Sequence, residues 1–187
     1  MVAGSGGLGT GRLPGAQEFR DAMRRWTTGV AVVTTEGPRG PHGMTVNSLL
    51  SVSLDPPTLL ISLKRGSRTL AAVERTGGFT VNVLADAQRP LADRFTGRRE
   101  PGEEEFAGLR PRPSADGAGP ELEGSLAVLT CRTAEHVEVA DHTLVIAEVT
   151  RVRLPDGPGP GTGPGGPLLY ADRRYRSLPG EEAPPER

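Results

Sequence analysis

Between residues 42 and 57 the chain reads HGMTVNSLLSVSLDPP, in which Thr45, Asn47, Ser51 and Ser53 are short side chains that donate and accept hydrogen bonds. Side chains on an extended strand alternate faces. These four can therefore share one side while Val46, Leu50 and Val52 take the other, given an irregularity near Ser48. Such a row can grip the polar edge of a bound molecule. A half-buried strand with one face in water carries the same alternation, so spacing alone leaves both readings open.

Other residues with chemical potential lack the pattern that a reaction needs. His42, His136 and His142 stand on separate segments without the close pairing of a zinc site, and no metal is expected. Asp141 and His142 are neighbours, but neither Ser48 nor Ser67 lies in the sharp G-x-S-x-G elbow of a serine hydrolase. Gly4, Gly6 and Gly9 spell G-x-G-x-x-G without a strand before or a helix pattern after, so the spacing reads as an accident of a glycine-rich tail. The single lysine, Lys64, ends a strand pattern rather than a phosphate loop, which excludes a P-loop nucleotide hydrolase. Cys131 is the only cysteine and permits no intramolecular disulfide, in keeping with a reducing compartment.

Composition narrows the class. At 187 residues the chain is the size of one domain. A net charge of -1 and a pI near 6.3 argue against a nucleic-acid partner. No apolar run is long enough to span a bilayer, and the N-terminus lacks the basic-then-apolar order of a signal peptide, so no membrane association and a cytoplasmic location are expected. The 26 glycines and 18 prolines are densest in residues 1–15 and 154–167, segments with too little apolar surface to offset their ordering entropy. Both are expected to be mobile. The expected organisation is a disordered tail over 1–15, one folded domain over 16–178 and a second disordered tail over 179–187.

The elements that must position the hydroxyl row follow from periodicity. Phe19, Met23 and Trp26 form one stripe of an amphipathic helix that ends near Gly29. The β-branched run 29–35 predicts a strand, turning through EGPRGPHG into a hairpin partner over 43–53 that Pro56 and Pro57 stop. Residues 58–64, TLLISLK, are nearly continuous in apolar character and predict a central strand, either buried on both faces or closing a barrel. A short helix follows, with Ser67 as N-cap and Gly77 or Gly78 as stop. A strand over 78–84, a helix over 87–95 and a long surface excursion over 96–120, of the kind that often covers a site, come next. Two long antiparallel strands break at Ala140 and Asp141, and residues 167–178 complete the domain. Strands dominate and the helices are brief, which predicts a mainly β fold, a β-barrel with short helices.

The ordered part, about residues 18 to 178, resembles the flavin reductase component of two-component flavin-dependent monooxygenases. The resemblance is carried by FRDAMRRWTTGVAVVTT, GMTVNSLLSVSLDPPTLLISL, GSRTLAAVERTGGFTVNVLADAQRPLADRF, DHTLVIAEV and PLLYADRRY, in that order. It implies an FMN-binding split β-barrel and a homodimer with flavin in a cleft at the subunit interface. Thr45, Val46, Asn47, Ser48, Ser51, Val52 and Ser53, with Ser62, would cradle the isoalloxazine ring and ribityl chain through hydroxyls and main-chain groups. Lys64, Ser67, Arg68 and Thr69 would approach the phosphate, and Tyr175 would border the cleft. The pyrimidine edge of a flavin alternates donors and acceptors, which short hydroxyls and amides match without crowding the ring. A phosphate at the helix start of Ser67 would gain amide donors and the favourable end of the helix dipole.

His142 matches a histidine that in many relatives follows a Gly-Asp pair and lies near the nicotinamide. In that role it would orient the donor or help protonate reduced flavin; a hydrogen-bonded histidine at a strand start is the competing reading. Three positions depart from the common pattern: Ala140 in place of glycine, Leu49 in place of a frequent aromatic, and Ala147 in place of glycine. The function implied is an NAD(P)H:flavin oxidoreductase that reduces FMN, the preferred flavin, or FAD, and supplies it to a partner monooxygenase. Two alternatives remain at this level: a split-barrel oxidase that retains its flavin, and a non-catalytic flavin- or haem-binding protein.

Overall fold

A computed structural model describes residues 12–38, 40–97, 105–114, 116–154 and 165–178. The tail expectations for 1–11 and 179–187, and the mobility expected over 155–164, fall outside these residues. The strand β1 (Thr28–Gly29) leads into β2 (Ala31–Gly37), which forms a hairpin with β3 (Gly40–Val46) in register from Ala31 against Val46 to Gly37 against Gly40. Gly40 has φ +104°, a conformation that lets the chain reverse without a Cβ penalty.

The segment 43–53 is not one strand. It ends as β3 at Val46 and resumes as β4 (Leu50–Leu54), which pairs with β5 (Pro57–Lys64) and not with β3. The main sheet runs β3-β2-β6-β7-β8-β5-β4, with β6 (Gly78–Val83), β7 (Ala127–Val139) and β8 (His142–Arg153) between, so β3 and β4 are its two opposite edges. Edges of a flat seven-stranded sheet would lie about 29 Å apart. Four residue steps from Val46 to Leu50 span at most about 14 Å. The sheet must therefore curl until its edges face each other across a seam, an incompletely closed barrel.

Apolar side chains fill both sides of the curled sheet. Val33, Ile61, Leu63, Phe79, Val81, Val145 and Ala147 form the interior cluster. Val30, Val32, Leu84, Ala92, Phe95, Leu122 and Leu168 form a second one beneath helix α3 (Arg89–Thr96), which follows a 3-10 turn at Asp86–Gln88. Val32 and Val33 fall in different clusters because neighbouring strand residues face opposite ways. The strands buried on both faces are β2, over Ala31 to Thr35, and β6. β5 is neither central nor buried on both faces: it is second from the edge, beside the seam as a barrel-closing strand would be, and Thr58, Leu60 and Ser62 on its outer side are only half-buried. A run of aliphatics marks burial potential, but what covers each face is set by distant segments.

Local signals are met where local chemistry decides. Helix α2 (Arg68–Thr76) begins at Ser67, whose hydroxyl accepts the Leu70 amide at 3.2 Å, and stops at Gly77 in the left-handed region at φ +70°. Strands β7 and β8 are joined by Ala140 and Asp141. Helix α1 (Ala16–Met23) forms, but none of its residues is buried: Phe19 is 62% exposed and Trp26, just beyond it, 68%. A small sheet of β1, β9 (Leu169–Ala171) and β10 (Arg174–Arg176) brings 167–178 back onto the start of the domain.

The end of the 96–120 excursion is buried rather than superficial. Asn82 of β6 donates to the Val32 carbonyl and Thr34 hydroxyl and accepts the Leu122 amide at 2.7 Å, while Thr34 and Thr80 donate to the carbonyls of Pro120 and Gly119. Three polar side chains between strands thus bind the returning loop. Residues 98–104 and Ala115 of the excursion lie outside the described residues.

Candidate functional site

A cavity of about 420 Å3 opens where β3, the β5–α2 turn and the end of α3 meet. Lys64, Ser67, Arg68 and Thr69 line it, together with His42, Met44, Arg94, Phe95, Thr96 and Glu105. The approach of α3 to β3 depends on Gly43: a Cβ there would lie 2.6 Å from the Phe95 ring. Phe106 packs on Phe95 with ring centroids 5.2 Å apart, which fixes the 105–109 turn and places Glu105 at the cavity wall.

Charge in the cavity is mostly positive, with Lys64, Arg65, Arg68 and Arg94 against the single carboxylate Glu105. Arg65 reaches Glu138 at 3.1 Å, whereas Lys64 has no ion pair among the described residues. The first amides of α2 point toward this end, since the leading N–H groups of a helix have no partner inside it. A cationic pocket headed by a helix N-terminus fits a phosphate group.

Glu105 carries a network of its own. Its carboxylate accepts from His42 Nδ1 at 2.7 Å and from the Gly43 amide at 2.8 Å, and pairs with Arg68 Nη2 at 3.2 Å. A carboxylate only accepts, so Nδ1 of His42 carries a proton, while Nε2, 2.9 Å from the Thr69 hydroxyl, accepts from it in the neutral ring and donates to it in the charged one. Burial works to raise the Glu105 pKa, but the His42 hydrogen bond, the Gly43 amide and the His42 and Arg68 charges outweigh it. They hold the carboxyl below its ordinary value of 4.5.

The Thr45–Ser53 row lies apart from this cavity, along the seam. Thr45 donates its proton to the Ala92 carbonyl at 2.7 Å, and Val46 is buried in the interior cluster. Ser48 donates to the Ser62 carbonyl at 2.9 Å and accepts the Ser62 amide at 3.3 Å. Ser53 closes the turn at Asp55. Asn47, Ser51 and Val52 are exposed. The single hydroxyl-lined face expected from alternation is thus split between two edges, with Thr45, Ser48 and Ser53 spending their hydroxyl protons on the chain's own carbonyls.

The seam and the cavity are connected along β5, because Ser62 and Lys64 are two residues apart and share a face. His142 stands directly across from Lys64 at the start of β8. Its Nδ1 is 2.9 Å from Asp141, and the His142 hydrogen bond and charge hold the Asp141 carboxyl below its ordinary value of 3.8. Tyr175 reaches the cavity rim indirectly, its hydroxyl 3.2 Å from that of Thr96, with Tyr170 and Arg89 against its ring.

Sequence reasoning missed His42, Glu105, Arg94 and Phe95. By spacing His42 suggests nothing beyond a metal ligand, and Glu105 sits in an acidic run that reads as solvated surface. Their convergence depends on the β2–β3 hairpin and on α3, and nothing in local spacing reports it. Cys131 takes no part: burial pushes its thiol up to about 12.

Comparison with known proteins places this geometry in context. The flavin reductase like domain matches residues 23–179. Among curated proteins, an FMN reductase (NADH) RutF of Ancylobacter novellus is 39% identical over 164 residues, 88% of this chain and 86% of the relative. Among solved structures, the styrene monooxygenase flavin reductase of Pseudomonas putida aligns with a TM-score of 0.74 at 35% identity, covering 86% of this chain and 97% of the other. An NADH:FAD oxidoreductase of Streptomyces globisporus aligns at 0.79 and 27% identity, covering 90% and 98%.

Proposed function

The chain belongs to the flavin reductase-like domain family, and on that premise we propose that it is an NADH:flavin oxidoreductase whose reduced flavin passes to a partner monooxygenase. The observation that carries this reading is the cationic cavity at the start of α2, whose Lys64 shares a face of β5 with Ser62 beside the seam. A planar ring with a phosphorylated tail matches that arrangement, ring toward the seam and phosphate toward Ser67.

Bound flavin supplies the acceptor for a hydride from the dihydronicotinamide. The protein's part is to bind and orient. Lys64 and the leading amides of α2 hold the phosphate, with Arg68 and Thr69 beside them. Asn47 and Ser51, exposed at the seam, offer hydrogen bonds to the ring edge. Val46, Ser48, Val52, Ser53, Thr45 and Ser62 shape the wall through main-chain groups. Hydride transfer needs reacting atoms about 3–3.5 Å apart, so an open face on which a second ring can stack matters more than a strong acid or base. His142, beside Lys64 with its Nε2 unbonded among the described residues, is placed to hold a proton or orient the donor. Tyr175 borders the cleft through Thr96.

FMN is the preferred flavin, in line with the relative's name, and FAD an alternative. The functional unit is a homodimer. Leu50, Val52 and Leu54 on the edge strand β4, and Phe19, Met23 and Trp26 around α1, are all exposed in the single chain. An apolar edge of this kind calls for a partner, and a second copy would also wall the open seam. The domain spans 16–178, and the cytoplasm is its proposed location.

Steady-state NADH oxidation by purified protein tests the reading. Turnover that requires added free FMN in the micromolar range supports it. Turnover on a tightly held flavin, or flavin binding with no NADH oxidation, would instead favour an oxidase or a carrier.

A further inference from the structure

Arg68, at the cavity, is already bound to a carboxylate. Glu105 is only 10% exposed and accepts from His42, from the Gly43 amide and from Arg68 at 3.2 Å. This is the donor set of an anion site, filled by the chain's own anion. Arg68 itself is 60% exposed and can swing, whereas Glu105 is fixed by two donors on β3. We infer that Glu105 is a specificity-determining residue: a resident carboxylate that competes with the ligand's phosphate for Arg68, and so sets how strongly the site prefers phosphorylated over unphosphorylated flavins.

The inference rests on the flavin reading above. A phosphate reaching the start of α2 meets Lys64, which is unpaired among the described residues, and the helix amides. It gains Arg68 only by taking it from Glu105, whose negative charge remains close by. A guanidinium binds phosphate through paired, charge-assisted hydrogen bonds, so losing the use of one is a large part of the affinity available to the tail. The result is a site in which ring contacts dominate and the phosphate adds little. Such a balance suits an enzyme that must release its product to another protein.

The experiment compares FMN and riboflavin, which differ only by the phosphate, by titrating the fluorescence of each against wild-type protein, Glu105→Gln, Arg68→Gln and the double variant. In the wild type the two Kd values should differ by less than about tenfold, and Arg68→Gln should change the riboflavin-to-FMN ratio by less than about threefold, because Arg68 is engaged elsewhere. Glu105→Gln should raise that ratio about tenfold, the order of one released charge-assisted hydrogen bond, and the gain should vanish in the double variant. A ratio that stays constant or falls in Glu105→Gln overturns the inference, as does a large loss of FMN binding in Arg68→Gln alone. That second arm decides the matter even if Glu105→Gln does not fold. A wild type that neither binds nor reduces any flavin overturns both this inference and the reading it rests on, whereas flavin-dependent NADH oxidation with an unmoved ratio overturns this inference alone.

Discussion

The Ser48 hydroxyl lies between the two main-chain groups of Ser62, donating to the carbonyl at 2.9 Å and accepting the amide at 3.3 Å. The pairing of β4 with β5 ends at Leu50 and Leu60, so these Ser62 groups face the seam with no strand beside them. A side chain from the link between the two edge strands completes their hydrogen bonding and fixes the link against β5.

Ser48→Ala removes that partner from both groups. The expected cost is about 1–2 kcal/mol of unfolding free energy, because two partly buried polar groups lose one bond each. Urea denaturation measures it. An unchanged midpoint would mean that water replaces the hydroxyl freely and that the link is not held by this contact.

Ala140 sits at φ +51° in the β7–β8 turn, where glycine would carry no steric penalty. Ala140→Gly is expected to stabilise the fold by about 0.5–1 kcal/mol, the relief of the left-handed conformation exceeding the added entropy of the unfolded chain. The departure at this position from the pattern of relatives therefore concerns strain, with Asp141 and His142 still presented by the same turn. A drop in the urea midpoint would contradict this.

Glu105 links stability to pH. Its carboxyl is held below the ordinary value of 4.5 in the folded chain, so the contact stabilises fully above that value and is lost as pH falls through the lowered folded value. Wild type should exceed Glu105→Gln in thermal midpoint above about pH 5, and the gap should shrink steadily as pH falls below 4.5 toward the lowered folded value. A difference that persists undiminished to pH 3 would show that the contact does not depend on ionisation.

The apolar edge of β4 predicts its own disruption. Leu54 is 89% exposed and Val52 52%, so Val52→Asp should leave the single-chain fold intact while disfavouring burial against a second copy. Sedimentation equilibrium should report a dimer for the wild type and a monomer for the variant, with flavin affinity weakened alongside. A wild type that is monomeric at tens of micromolar would contradict the dimer.

Legibility from sequence followed the range of the interaction. The cap at Ser67, the stop at Gly77, the β2–β3 hairpin and the break at Ala140 are decided within a few residues, and turn and capping chemistry states them in the sequence. The division of 43–53 into two strands at opposite edges is not so stated: alternation has the same period whether one strand continues or two share a link. The stripe of Phe19, Met23 and Trp26 is legible as a helix face, but its exposure is not: no described residue buries it. Lys64, Ser67, Arg68 and Thr69, grouped at one end of the cleft by the family resemblance alone, do line one cavity. His42 and Glu105 join them only after a hairpin and a helix have folded, so the cavity's one carboxylate was invisible beforehand.

The central claim is that a flavin lies along β5 with its phosphate at the start of α2 and its ring at the seam between β3 and β4. A crystal structure of the protein soaked with FMN tests it directly. The account predicts phosphate density within hydrogen-bonding distance of Lys64 and the Arg68 or Thr69 amide, with the ring beside Asn47 and Ser51 and one face left open. Density lodged elsewhere, or a seam closed by side chains with FMN excluded, would contradict it.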